Sequence, residues 1–232
     1  MGLLLRLGFA IVGAKSYKNK GGTVMPDLYS NVHLIIRWLH VLAGIVWIGH
    51  LYFFNFVNVP LQGTLDDATK KLVNPQLLPR ALWWFRWGAM VTFLAGLTLF
   101  VMNYVYTGGG HFGATNLLID SLTGRMTGRA MWILFGMTLG TIMWFNVWFV
   151  IWPAQKALLT GKVAADKAPA VRKRALLFSR TNTYLSGPML FGMLAPAHYG
   201  AMSSPALLLA IMLGTIAIWV SIRSSGKVGK LR

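Results

Sequence analysis

A few histidines interrupt segments that are otherwise strongly apolar. The segment RWLHVLAGIVWIGH, residues 37–50, places two imidazoles in a run apolar enough for hydrocarbon. Imidazole nitrogens are common ligands of haem iron, and histidines on two helices of a bundle can hold a b-type haem between them. The histidines of the apolar segments are therefore candidate cofactor ligands.

One pair of histidines fits this chemistry best. On a helix, His33 and His40 are nearly two turns apart and share a face at a separation of about 10 Å. His40 and His198, which lie in two different apolar segments, form the preferred pair of ligands to the iron of a b-type haem. His33 or His50 could replace either residue. The alternative for each histidine is an ordinary hydrogen bond to a neighbouring backbone carbonyl group.

A second group of polar residues comes from four apolar segments and falls at a similar predicted depth. Its members are Asn55, Arg80, Arg86, Asn146, Arg180, Thr181, Asn182 and Thr183. Unpaired polar groups are costly in hydrocarbon, so these side chains should face the bundle interior and bond one another or a ligand.

Four of these residues predict a binding site for a planar anionic molecule. Arg86, Arg180, Asn146 and Asn182 offer convergent hydrogen-bond donors, and nearby tryptophan rings offer stacking faces. The alternative is a structural polar network combined with the usual excess of basic residues on the cytoplasmic side. The spans contain no acidic residue, which argues against carboxylate acid–base catalysis within the bilayer.

The composition excludes several classes of protein. Hydrophobic residues make up 56% and charged residues only 12%, about half the charged fraction of a soluble domain. The lipid bilayer is the expected partner of such a surface. The net charge of +17 comes from loops between apolar runs, and no nucleic-acid-binding module is present. Because the chain has no cysteine, it has no thiolate metal site and no covalently attached c-type haem.

Apolar runs predict an all-α, polytopic integral membrane bundle of about five transmembrane helices. The runs that approach the roughly 20 residues needed to cross a bilayer are 32–57, 82–105, 130–152, 176–198 and 205–222. Gly136 and Gly140 form a Gly-x-x-x-Gly pair that predicts close helix packing.

The flanking segments define the rest of the predicted organisation. We expect an interfacial or poorly structured N-terminal extension at 1–30, the bundle at 31–223 and a basic cytoplasmic tail at 224–232. Most lysines and arginines fall in loops 58–81 and 153–180 and in this tail. The positive-inside rule then places these loops and the C-terminus in the cytoplasm.

Long aromatic-rich motifs extend across four of the five predicted spans. They are RWLHVLAGIVWIG at 37–49, LYFFNFVNVP at 51–60, LPRALWWFRWGAM at 78–90, GTIMWFNVWFVIWPAQK at 140–156, SRTNTYLSGPMLF at 179–191 and His198–Tyr199. In these motifs the chain resembles the N-terminal transmembrane domain of the bacterial membrane-bound urate oxidase (urate hydroxylase) family. Both His40 and His198 lie within them.

The resemblance implies a bacterial inner-membrane protein associated with urate oxidation, which passes electrons towards the respiratory chain. Long members of the family carry a C-terminal cytochrome c domain, and this cysteine-free chain lacks one. We therefore expect cytochrome c or another carrier as the electron acceptor. Two functions stay open: a haem-containing oxidoreductase, and a non-catalytic subunit of a larger respiratory or photosynthetic membrane complex.

Overall fold

Five long helices form most of the chain that the computed structural model describes, residues 27–199 and 201–229. The helices are α1 Leu28–Gln62, α2 Asp67–Val105, α3 Gly128–Leu159, α4 Ala168–His198 and α5 Ser204–Ser225. A small antiparallel hairpin follows α2, with strands β1 Tyr106–Gly108 and β2 His111–Phe112. The predicted all-α bundle is confirmed. Most of the predicted N-terminal extension, residues 1–26, lies outside the described residues.

The helices alternate in direction and give the bundle two ends. The hairpin end contains the β-hairpin, the starts of α1, α3 and α5, and the end of α4. The opposite end, here called the basic end, contains the loops 63–66 and 160–167 and the end of α5. Helices α1, α2, α3 and α5 are each long and apolar enough to cross a membrane. The polar segment 179–186 makes α4 less apolar, although this helix is 31 residues long.

Local side-chain caps explain where most helices begin. The carboxylates of Asp27 and Asp66 accept hydrogen bonds from the backbone amides of Ser30 and Thr69 at the starts of α1 and α2. Thr127 caps α3 in the same way. Such caps satisfy amide groups that have no partner within the first helical turn. The capping residues therefore help to fix the residue at which α1, α2 and α3 begin.

Three helices contain a π-helical turn, in which the chain holds an extra residue per turn. These turns are Phe53–Asn58 in α1, Val101–Val105 in α2 and Asn146–Ile151 in α3. Turns of this kind are rare and occur frequently at functional sites. Two of them carry a buried asparagine, Asn55 and Asn146.

Glycines allow the close helix contacts that hold the bundle together. A Cβ atom on Gly136 would lie 3.0 Å from the carbonyl carbon of Gly192, so α3 and α4 touch backbone to backbone. The close packing predicted at Gly136 is confirmed. The contact between α4 and α5 is tighter still, since a Cβ atom on Gly187 would lie 2.5 Å from the carbonyl oxygen of Gly214.

Candidate functional site

Two of the predicted ligand-binding residues bond each other. Asn146, in the π-helical turn of α3, donates from Nδ2 to Oδ1 of Asn182 on α4 at 2.8 Å. Asn182 in turn donates to the carbonyl oxygen of Met143 at 2.9 Å. Both side chains are buried. The pair therefore cross-links α3 and α4, as the structural alternative predicts.

A second polar network connects α1 to α4. Asn55, in the π-helical turn of α1, donates to the carbonyl oxygen of Leu51 at 3.0 Å and to the hydroxyl of Ser179 at 2.9 Å. One turn away, the hydroxyls of Tyr52 and Ser186 are 2.9 Å apart. Asn55 is fully buried, and its Oδ1 has no hydrogen-bond partner. The network leaves one buried acceptor free.

Arg86 on α2 is surrounded by indole rings. Its guanidinium carbon lies 3.9 Å from the ring centroid of Trp152, 5.7 Å from that of Trp148 and 5.8 Å from that of Trp87. The indole N–H of Trp148 donates to the carbonyl oxygen of Arg86 at 3.2 Å and joins α3 to α2. We call these four residues the arginine box. The Nε atom of Arg86 is buried without a partner.

No carboxylate approaches the arginine box within the described residues. Hydrogen bonds from nearby backbone or hydroxyl groups engage Asp27, Asp66 and Asp120, and these bonds lower the pKa of each carboxyl group. Asp67 pairs with Lys70 at 3.6 Å, and Asp166 is exposed in the loop before α4. A buried cation usually has a protein counter-charge. The box therefore carries a positive charge that no carboxylate of the described residues neutralises, which would suit an anion.

Arg180 on α4 shares one property with Arg86. Its Nη1 atom is also buried without a partner. No hydrogen bond joins Arg86 or Arg180 to the Asn146–Asn182 pair in the part of the chain described here. The structure thus brings the two asparagines together and leaves each arginine with free donors. Thr181 and Thr183, which the sequence placed in the same layer, donate to carbonyl oxygens one turn earlier in α4.

His40 makes a hydrogen bond to a backbone carbonyl group, which is the alternative expected for each histidine and also leaves its second nitrogen free. Its Nδ1 lies 2.9 Å from the carbonyl oxygen of Thr92 on α2. Since a carbonyl group can only accept, Nδ1 carries the proton and Nε2 keeps its lone pair. Ligand histidines in metalloproteins are usually oriented by such a second bond. Gly96 makes room for the ring, because a Cβ atom there would lie 2.9 Å from Cε1 of His40.

The predicted His40–His198 pair does not share a neighbourhood among the described residues. His40 faces α2, whereas His198 is exposed at the end of α4, in a groove of about 410 Å³ beside Thr127 and Arg129 at the start of α3. The pairing stays a prediction without structural support.

His33 serves a structural role at the hairpin end. Its Nε2 lies 3.1 Å from Oδ1 of Asn103 in the π-helical turn of α2, and its ring stacks on Tyr29 at 6.2 Å. The contact with Asn103 joins α1 to α2, whereas Tyr29 lies on α1 itself, one turn from His33. His50 bonds the carbonyl oxygen of Val46 within its own helix at 2.7 Å.

A family model described as "Urate oxidase N-terminal" matches residues 62–123 and 114–227, more than half of the chain. The chain belongs to this urate oxidase N-terminal family. The match covers α2 to α5 and therefore includes the arginine box, Arg180 and His198. It begins at the end of α1, so His33, His40 and His50 precede it. No match was found among curated proteins or among solved structures.

The sequence predicted tryptophan stacking faces near the arginines, but it did not indicate which tryptophans lie beside Arg86. A signal was available, because Trp148 and Trp152 are four residues apart and share one helix face. Their shared orientation towards an arginine on another helix depends on tertiary contacts.

Proposed function

We propose that this member of the urate oxidase N-terminal family is a membrane domain that binds a planar anionic purine of the urate class at the arginine box. The observation that carries the proposal is the buried Nε of Arg86, a cationic donor that has neither a partner nor a nearby carboxylate among residues 27–199 and 201–229. The family match supports a ligand of the urate class. The indole rings support a planar ligand, because aromatic rings stack on flat molecules.

The chemistry of the box suits such a ligand. A guanidinium group is a flat fork of donors that can bond two acceptors of a planar anion at once. Trp152 lies 3.9 Å from the guanidinium carbon, and Nε of Arg86 has no partner among the described residues. The indole rings of the box provide surfaces on which a purine ring can stack. The low dielectric of the surrounding helices strengthens each charge-assisted bond.

Urate binding to the purified protein tests this proposal. The protein is reconstituted in lipid nanodiscs, and labelled urate is measured by equilibrium dialysis. We expect Arg86→Met to weaken binding at least tenfold. Arg223→Met is the matched control, because Arg223 also lies over an indole, 5.0 Å from Trp219, but on the exposed end of α5. Equal urate affinity in wild type and Arg86→Met would overturn the proposal.

A b-type haem is the second part of the proposal, with His40 as the iron ligand. The support is the Nδ1 bond to Thr92, which leaves Nε2 available. A bound haem would supply one-electron transfer, and a cytochrome c or another carrier would take the electrons onward. His40 would hold the iron, while Thr92 and Gly96 would keep its ring in place.

Optical spectra test the haem separately from urate binding. Protein expressed with sufficient haem should show a b-type band in the reduced-minus-oxidised spectrum, and His40→Ala should remove it. His111→Ala, in the exposed hairpin, is the control and should keep the band. A wild-type protein without this band would contradict haem binding. If this protein without a haem band co-purified stably with other membrane proteins, the result would favour the alternative function, a non-catalytic subunit of a larger membrane complex.

A further inference from the structure

A groove on the membrane-facing side of α1 and α2 has no role in the function proposed above. It has a volume of about 500 Å³, within the range of small-molecule sites, and opens between the two helices. Its rim is exposed, with Ile45 65% and Trp84 54% accessible. Apart from His50 and Arg80, the side chains that line it are apolar. A ligand could therefore enter from the bilayer.

His50 gives this apolar groove a single, defined hydrogen-bond acceptor. Its Nδ1 lies 2.7 Å from the carbonyl oxygen of Val46. Because the carbonyl group must accept, Nδ1 carries a proton, and in the matching tautomer of the imidazole Nε2 is the acceptor. Nε2 has no partner among the described residues. A hydrogen-bond donor on a ligand would satisfy this acceptor, which the apolar lining of the groove cannot do.

The other residues of the groove define the shape of that ligand. The rings of Phe53 and Trp84 line it together with His50, and they offer faces for an aromatic headgroup. Arg80 lies at the polar side of the groove and donates to the carbonyl oxygen of Gln76 in its own helix. Next to His50, Gly49 leaves open space, since no atom lies within 4 Å of its Cβ position.

We infer that this groove binds the headgroup of a membrane quinol. One quinol hydroxyl donates to Nε2 of His50, the ring lies against Phe53 and Trp84, and the tail extends into the bilayer. An oxidised quinone has only carbonyl oxygens and cannot donate to Nε2. The headgroup of phosphatidylcholine likewise has no O–H or N–H group that could donate. The inference concerns binding alone and does not depend on the arginine box.

Two variants test ligand binding in the groove by changing residues that line it. His50→Phe removes the acceptor and keeps a ring of similar size. Gly49→Leu leaves His50 in place and adds bulk to the groove, and a Cβ atom at this position meets no other atom within 4 Å. His111→Ala, in the exposed hairpin, is the control. Gly49→Leu keeps the inference testable should His50→Phe fail to fold.

Binding of a short-tailed quinol is measured under anaerobic conditions, with the protein in phosphatidylcholine nanodiscs. We expect His50→Phe to weaken binding about tenfold, which corresponds to about 1.4 kcal/mol. Gly49→Leu should abolish binding, and His111→Ala should leave it unchanged. The oxidised quinone should bind at least tenfold more weakly than the quinol.

Three results would overturn the inference. They are absence of quinol binding to the wild type, equal quinol affinity in wild type and folded Gly49→Leu, and equal affinity for quinol and quinone. A competition experiment adds phosphatidylglycerol to the nanodiscs. Displacement of the quinol from the wild type by this lipid would identify a phospholipid site and would also overturn the inference.

Discussion

Replacing Arg86 with methionine separates a binding role from a structural one. Methionine fills a similar volume and keeps the apolar contacts to the indoles, but it has no charge. A structural arginine would be needed for stability in the absence of ligand. An arginine held for an anion should contribute little to the stability of the ligand-free protein, because its buried Nε has no partner.

The expected change in stability follows from two opposing terms. The substitution loses the cation–π contacts with the three indoles of the box, of which the nearest, with Trp152 at 3.9 Å, dominates and is worth about 0.5–2 kcal/mol. It also removes the cost of a buried, unpaired donor, about 1–3 kcal/mol. The two terms nearly cancel, so the free energy of unfolding without ligand should change by about 1 kcal/mol or less.

Urate should stabilise the wild type much more than this variant. At a urate concentration of 100 times Kd, binding adds about 2.7 kcal/mol to the free energy of unfolding. For a chain of this size the gain corresponds to a rise in Tm of roughly 5–11 °C.

Thermal unfolding in nanodiscs, followed by tryptophan fluorescence, measures both effects. Arg86→Met should have the Tm of the ligand-free wild type and show no rise with urate, whereas Arg223→Met should respond like the wild type. A large loss of stability in ligand-free Arg86→Met, together with a normal response to urate, would refute the reasoning.

Further predictions concern the fold and its orientation. Asn182→Leu leaves Nδ2 of Asn146 without its acceptor in a buried site, and chemical unfolding should show a loss of about 1–3 kcal/mol; an unchanged stability would contradict the cross-link. Gly187→Ala places a methyl group 2.5 Å from a backbone oxygen of α5, so unfolding should show a loss of at least about 1–3 kcal/mol. Gly49→Ala, its control in open space, should show none. Because the chain has no cysteine, the single variants Ser121→Cys and Ser224→Cys report orientation: an impermeant maleimide added to intact cells should label only Ser121→Cys, and the reverse pattern would place the C-terminus outside.

The helical architecture could be predicted because it depends on local sequence properties. Apolar run length located each of the five helices, since a bilayer sets the number of residues that must be shielded. Gly136 indicated a close contact because only a small side chain lets two helix backbones touch. The composition also argued against a soluble fold, because the charged fraction is too low to cover the surface of a soluble domain.

The arrangement of the site could be predicted only in part. The sequence grouped Arg86 and Arg180 with Asn146 and Asn182 by depth, but depth does not show which neighbouring helix each side chain faces. The asparagines satisfy each other, while Arg86 faces tryptophans of α3. His40 and His198 illustrate the same limit, because rotation about the helix axis decides whether two residues on different helices can meet.

The π-helical turns determine much of the side-chain arrangement that the sequence did not predict. An extra residue in a turn rotates every later side chain relative to a regular helix, and no apolar period indicates where this occurs. The turn at Asn146–Ile151 includes Trp148 and directly precedes Trp152. The positions of both indoles beside Arg86 therefore depend on a feature that sequence periodicity does not show.

The most direct test of the central claim is a cryo-electron microscopy map of the protein in nanodiscs with saturating urate. The arginine box predicts a flat density within hydrogen-bond distance of the Arg86 guanidinium and beside the indoles of Trp148 and Trp152. The same density should be missing from a map without urate. A map with urate that shows Arg86 bonded only to a lipid phosphate, and no flat density in the box, would contradict the claim.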